Sequence, residues 1–88
     1  MDHGVGSVLY NKWSSMKTRC YSSHSKDYKN YGGRGIKICE EWLDYKYFRE
    51  WSLSSGYIEG LTIDRMDNDG NYEPSNCKWL TMAEQQRK

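Results

Sequence analysis

The sequence predicts a small α+β domain: an N-terminal helix, a glycine-rich loop with a short strand, a central helix, and a closing strand-strand-helix unit. Three observations predict it. Apolar residues recur at near-helical spacing over residues 7–20 and again over residues 40–54. Between Leu61 and Leu80 the pattern changes to alternation on either side of a polar, turn-rich loop. Beyond it, Thr81 followed three residues later by Glu84 is a capping box that starts a helix.

A chain of 88 residues is enough for one domain with a modest core. It has no apolar run near the ~20 residues that span a bilayer, so no membrane partner is expected. The first residues, MDHGVGSV, lack the basic region and apolar core of a secretory signal. Three cysteines without dense spacing suit a reducing compartment better than a disulfide framework, so a cytoplasmic protein with free thiols is expected. Within the single domain, residues 1–38 form a basic helix and glycine-rich loop, 39–60 the central helix, and 61–88 the strand-strand-helix unit.

In the first helix Leu9, Trp13, Met16 and Cys20 form the inward stripe. Lys12, Lys17 and Arg19 lie largely off it and either solubilise the helix or contact phosphate. Residues 21–35, YSSHSKDYKNYGGRG, read as an ordered loop. Tyr21, Tyr28 and Tyr31 interleave there with Lys26 and Lys29, a mixture that stacks on bases and neutralises phosphates, or equally a lid over a small core. Gly32, Gly33 and Gly35 around Arg34 are turn residues, or they let backbone amides and a guanidinium approach one anion. Ile36 and Ile38 alternate with Lys37 as a short strand. The central helix is expected to turn Leu43, Tyr47, Phe48 and Trp51 inward and to end at Gly56.

In the closing unit Leu61 and Ile63 alternate with Thr62 and Asp64, which buries one face and sends the Asp64 carboxylate to the other. Asp69-Gly70 supplies residue types that reach positive φ, and Pro74 stands where no ladder N–H is needed. On the return limb Cys77, Trp79 and Thr81 share one side, Lys78 and Leu80 the other.

Charge is regional. Residues 1–38 hold seven basic and two acidic side chains (+5), residues 39–73 three and nine (−6), and residues 74–88 three and one (+2). Basic ends around an acidic centre bind phosphates at the ends and a cation at the centre, although a solvated surface has the same composition.

The run Asp64-Arg65, a hairpin loop, Asn76-Cys77-Lys78-Trp79 and a polar helix resembles the ββα-metal motif of HNH endonucleases. Over nearly the whole chain the sequence is similar to small phage-encoded HNH-endonuclease-like proteins, through Trp13, Met16, Arg19-Cys20, the run from Tyr31 to Ile36, Cys39, Trp42, Phe48, Asp64-Arg65, Gly70-Asn71-Tyr72 and Asn76-Cys77. The resemblance implies Asp64 as ligand of Mg²⁺ or another divalent cation, with Asn76 and Gln85 as weaker oxygen donors. It implies a catalytic pair at Asp64 and Arg65, but the family's general-base histidine is replaced by Arg65. A guanidinium stays protonated near neutral pH and cannot accept the proton, so Arg65 is left to stabilise phosphorane charge.

The expected function is therefore binding of DNA or RNA by a degenerate HNH-like protein, through Lys12, Lys17, Arg19, Tyr31, Arg34, Lys37, Lys78 and Arg87. The alternatives are a metal-dependent nicking endonuclease and a phage inhibitor of a host defence nuclease, which the acidic centre from Glu40 to Glu73 suits. Zinc is not expected: Cys20, His24, Cys39 and Cys77 contain no Cys-x-x-Cys knuckle. A calcium loop is rejected because Tyr72 stands where Asp67, Asp69 and Asn71 would need the sharp-turn glycine.

Overall fold

The computed structural model describes residues 5–86, with side chains from residue 8 onward. Helix α1 spans Val5–Tyr21. Its stripe of Leu9, Trp13, Met16 and Cys20 is buried as the spacing requires. Trp13 Nε1 donates to the carbonyl of Trp42 at 2.7 Å, tying the helix to the middle of the chain.

Two 3₁₀ turns, Tyr28–Asn30 and Gly32–Arg34, carry the loop that follows. Gly35 ends the second at φ 90°, a conformation that side chains resist. Gly32 is needed for space instead: a Cβ there would stand 2.1 Å from the carbonyl oxygen of Cys20. Ile36 and Ile38 are buried, but the expected strand reduces to one parallel bridge between Ile38 and Tyr72. Tyr72 donates its N–H to Lys37 O and accepts from Cys39 N at 2.9 and 2.8 Å. The partner segment then runs into the 3₁₀ turn Pro74–Asn76, which ends the pairing.

The central helix begins later than its periodicity suggests. A 3₁₀ turn at Glu41–Leu43 is followed by extended backbone at Asp44, and helix α2 spans Tyr45–Ser54. Asp44 caps α2 by accepting from the N–H of Lys46 at 3.0 Å. This break rephases the faces, so Trp42 and Phe48 are buried while Leu43 and Tyr47, expected inward, are 44% and 45% exposed. Trp51 is half-buried against the core, and Ser52 is enclosed beside it. At the far end Gly56 takes φ 85° and the N–H of Tyr57 reaches back to Ser52 O at 2.9 Å, the closure expected of that glycine.

Strands β1 (Thr62–Arg65) and β2 (Cys77–Leu80) form a two-stranded antiparallel sheet in which Ile63 faces Trp79 and Asp64 faces Lys78. Helix α3 (Met82–Gln86) follows. Its capping box is complete: Thr81 N donates to Glu84 Oε1 at 2.8 Å, and Glu84 N to Thr81 Oγ1 at 3.1 Å.

Two expectations for the hairpin are corrected. Asp64 alternates with Ile63 as predicted, but its face is not open. Leu80 is buried on that face, Gln85 of α3 bonds Thr62 there, and Asp64 is 6% exposed. Gly70 has no positive φ. Its value is steric, since a Cβ there would stand 2.7 Å from the Asn76 amide nitrogen. The core between these elements is aromatic: Trp42 packs on Phe48 and Trp51 with ring centres 5.1 and 4.6 Å away, and Tyr57 lies 4.5 Å from Trp79. Each such ring, fully buried, contributes roughly 1.5–3 kcal/mol of hydrophobic free energy.

Candidate nucleic-acid interface

Beside its core stripe, α1 presents Val8, Asn11, Lys12, Ser15 and Arg19, spaced to share one face. Opposite them lie Thr62 and Ile63 of β1, with Tyr31 closing one side. The result is an open groove of about 510 Å³. Its lining holds two cations, Lys12 and Arg19, and no carboxylate among the described residues. At its β1 wall Thr62 Oγ1 donates to Leu80 O at 3.3 Å and accepts from Gln85 Nε2 at 3.0 Å, which fixes that wall to β2 and α3.

The end of the groove at Arg19 is built by two arginines and two tyrosines. The Tyr31 and Tyr72 rings lie near-parallel, 6.3 Å apart. The Arg19 guanidinium is 5.1 Å from Tyr31 and 5.9 Å from Tyr72, and that of Arg65 is 5.2 Å from both. Arg19 Nη2 also donates to the Tyr72 hydroxyl at 3.1 Å. Burial pushes the acid strength of that hydroxyl down, raising its pKa, and the neighbouring Arg19 opposes the shift. Such contacts between cations and rings are worth about 0.5–1 kcal/mol each where solvent reaches them.

Next to this cluster the hairpin loop is held by side chains from three directions. Arg65 Nη1 donates to the carbonyls of Asn68 and Gly70. Asn76 accepts from Asp67 N at 2.9 Å through Oδ1, and through Nδ2 donates to the carbonyls of Asp67 and Asn71 at 3.1 and 3.0 Å. From the glycine-rich loop Arg34 forms an ion pair with Asp69 and donates to Asn68 O at 3.2 Å. Within its own loop Arg34 also reaches Asn30 O at 3.1 Å.

The structure thus brings Lys12, Arg19 and Tyr31 to one groove and disperses the other predicted contacts. Lys17 lies on another face of α1, 4.5 Å over the Trp13 ring. Lys37 and Lys78 are exposed elsewhere, and Arg87 falls outside the described residues. The amides of Gly35 and Arg34 donate to Gly32 O and Tyr31 O, so these two of the run's N–H groups serve its own turn.

Of the three oxygen donors proposed for a cation, Asn76 spends its amide oxygen on Asp67 N, Asp64 is buried, and Gln85 bonds Thr62 through its amide nitrogen rather than its oxygen. Among the described residues no group of three or more His, Cys, Asp or Glu is placed to hold a metal ion. His24 is exposed in a turn of the first loop, while His3 lies outside the described residues. Burial pushes the thiols of Cys20 and Cys39 up, and that of Cys77 up to about 11. All three therefore favour the neutral form.

Val8, Asn11, Ser15, Thr62 and Ile63 were not legible as groove residues. The spacing of Asn11, Lys12, Ser15 and Arg19 does mark one helix face, but nothing local reveals the strand opposite it. In comparison with known proteins, the chain matches no family model, no curated protein and no solved structure.

Proposed function

We propose that this chain is a nucleic-acid-binding protein of HNH-like ancestry that does not cleave its ligand. The observation that carries the proposal is the groove between α1 and β1. There Lys12 and Arg19 stand beside a half-buried tyrosine and the small polar side chains Asn11 and Ser15. Cations that neutralise phosphate, a ring that accepts a base and short hydrogen-bonding side chains are the three ingredients of sequence-tolerant strand binding.

The absence of cleavage is supported by how the motif residues are used. Arg65 and Asn76 hold loop carbonyls, and Asp64 is buried. A cation at Asp64 would need several oxygen ligands in near-octahedral order, whereas Asn76 already spends its amide oxygen on Asp67 N. Arg65 at the end of β1 supplies no proton acceptor.

A mobility-shift titration of the full chain with labelled DNA and RNA oligonucleotides at rising salt tests the proposal. Binding should weaken steeply with salt and weaken again in Lys12→Ala. No shift at low salt with either polymer would remove it. A second reading, inhibition of a host defence nuclease, is favoured by the shallow surface formed by Glu40, Glu41, Asp44 and Tyr47, where acidic groups surround an exposed ring. It would take over if the chain binds no nucleic acid and instead blocks such a nuclease in a purified assay.

A further inference from the structure

We infer that the α1–β1 groove accepts unpaired nucleotides, so that the ligand is a single strand, loop or frayed end rather than a closed duplex; this rests on the nucleic-acid reading above. Four observations lead there, beginning with shape. Proteins that read duplex DNA project a helix or ribbon into a groove about 12 Å wide. Here the basic face of α1 is a wall of a concavity, with Thr62 and Ile63 opposite it. A rigid duplex cannot fold into that recess, whereas a flexible strand can place one nucleotide within it.

Size agrees with this. A volume of about 510 Å³ lies within the roughly 300–1,000 Å³ typical of small-ligand sites and suits one nucleotide with its phosphate.

The third observation is the distribution of chemistry along the lining. Lys12 and Arg19 lie seven positions apart on one helix, about two turns, so they can meet successive backbone phosphates. Asn11 and Ser15 lie on the same face and offer donors and acceptors to a base edge. Val8 and Ile63 supply apolar contact for a base.

The fourth is preorganisation. The Tyr31 ring is held by Arg19, Arg65 and Tyr72 before any ligand arrives. A nucleotide in the groove that Tyr31 lines therefore does not have to order that ring, a cost that flexible side chains impose on binding.

The test is fluorescence anisotropy with the full chain, a labelled 12-nucleotide single strand and the matching duplex at low salt. Three variants are compared: Ser15→Trp, which fills the groove from an exposed helix position; Lys12→Ala; and Lys46→Ala on α2 as a control. Circular dichroism confirms that each is folded. Because contacts to an unpaired base are worth about 1–3 kcal/mol, the single strand should bind at least about fivefold tighter than the duplex. Ser15→Trp should cost the strand a similar factor, Lys12→Ala should flatten its salt dependence by about 0.7 in log–log slope, and Lys46→Ala should change neither.

Equal or tighter duplex binding, or Ser15→Trp without effect, would overturn the inference while leaving nucleic-acid binding in place. No binding of either polymer would instead remove the underlying reading. Adenosine and thymidine monophosphate serve as competitors. Failure to displace the strand at equimolar concentration supports a polymer ligand, and full displacement there would overturn it in favour of a free nucleotide.

Discussion

Replacing Arg65 with alanine separates its two possible occupations, holding the hairpin loop or meeting a ligand. The side chain donates to two loop carbonyls, Asn68 O and Gly70 O, and lies against two tyrosine rings. Hydrogen bonds from a charged donor contribute about 1.5–3 kcal/mol each, and partly exposed cation–ring contacts about 0.5–1 kcal/mol each. Because the loop bonds are partly solvated, we take the low end of each contribution and expect a loss of about 4 kcal/mol. A chain of this length has roughly 4–13 kcal/mol of stability in total, so the loss is a large fraction of it. Urea unfolding followed by tryptophan fluorescence reads it directly, because Trp42 and Trp79 are buried in the core. With a slope of about 1–3 kcal/mol per molar urea, the midpoint should fall by 1 M or more. Arg65→Lys should lose less, since one ammonium can still donate to both carbonyls, as Nη1 does, but has no planar face to lie against the rings. An unchanged midpoint in Arg65→Ala would refute the loop-holding role and return the guanidinium to the surface as a ligand group.

Other outcomes follow from the same geometry. Gly32→Ala should destabilise by about 1–3 kcal/mol in thermal melts, because the added methyl meets the Cys20 carbonyl, whereas Gly33→Ala, with its nearest neighbour at 3.1 Å, should cost less. Supercoiled plasmid incubated with Mg²⁺ or Mn²⁺ should remain intact with the unmodified protein and with Asp64→Ala; metal-dependent nicking abolished by Asp64→Ala would show that another group activates water. Stability should decline between pH 9 and 11, because the buried Cys77 thiol has its pKa raised from 9.0 to about 11 and holds its proton more tightly in the folded chain. That contribution is complete below the unfolded value and is lost as pH rises through the folded one. In pH-dependent unfolding, Cys77→Ala should show a shallower decline than the unmodified chain over this window.

By itself the sequence determined what depends on neighbours a few residues apart. The stripe of Leu9, Trp13, Met16 and Cys20, the Thr81–Glu84 capping box and the Gly56 helix end are each written within one or two turns, where bond geometry decides the partners. Hydrophobic spacing also showed that a sheet and helices coexist, although it placed Leu43 and Tyr47 inward because periodicity cannot register one extended residue at Asp44. Tertiary structure decided the rest. Whether Arg34, Arg65 and Asn76 face a ligand or a loop carbonyl depends on which backbone lies within about 3 Å of them, and for Arg34 that backbone is 34 residues away. The burial of Asp64 likewise depends on what covers the second face of the hairpin, where Gln85 of α3 reaches Thr62. The groove needs Lys12 and Thr62, fifty positions apart, as facing walls. Residue type makes Lys12, Arg19 and Tyr31 legible as two cations and a ring, but only the tertiary placing of α1 and β1 as walls of one groove gathers them into one recess, because concavity is a property of surfaces brought together.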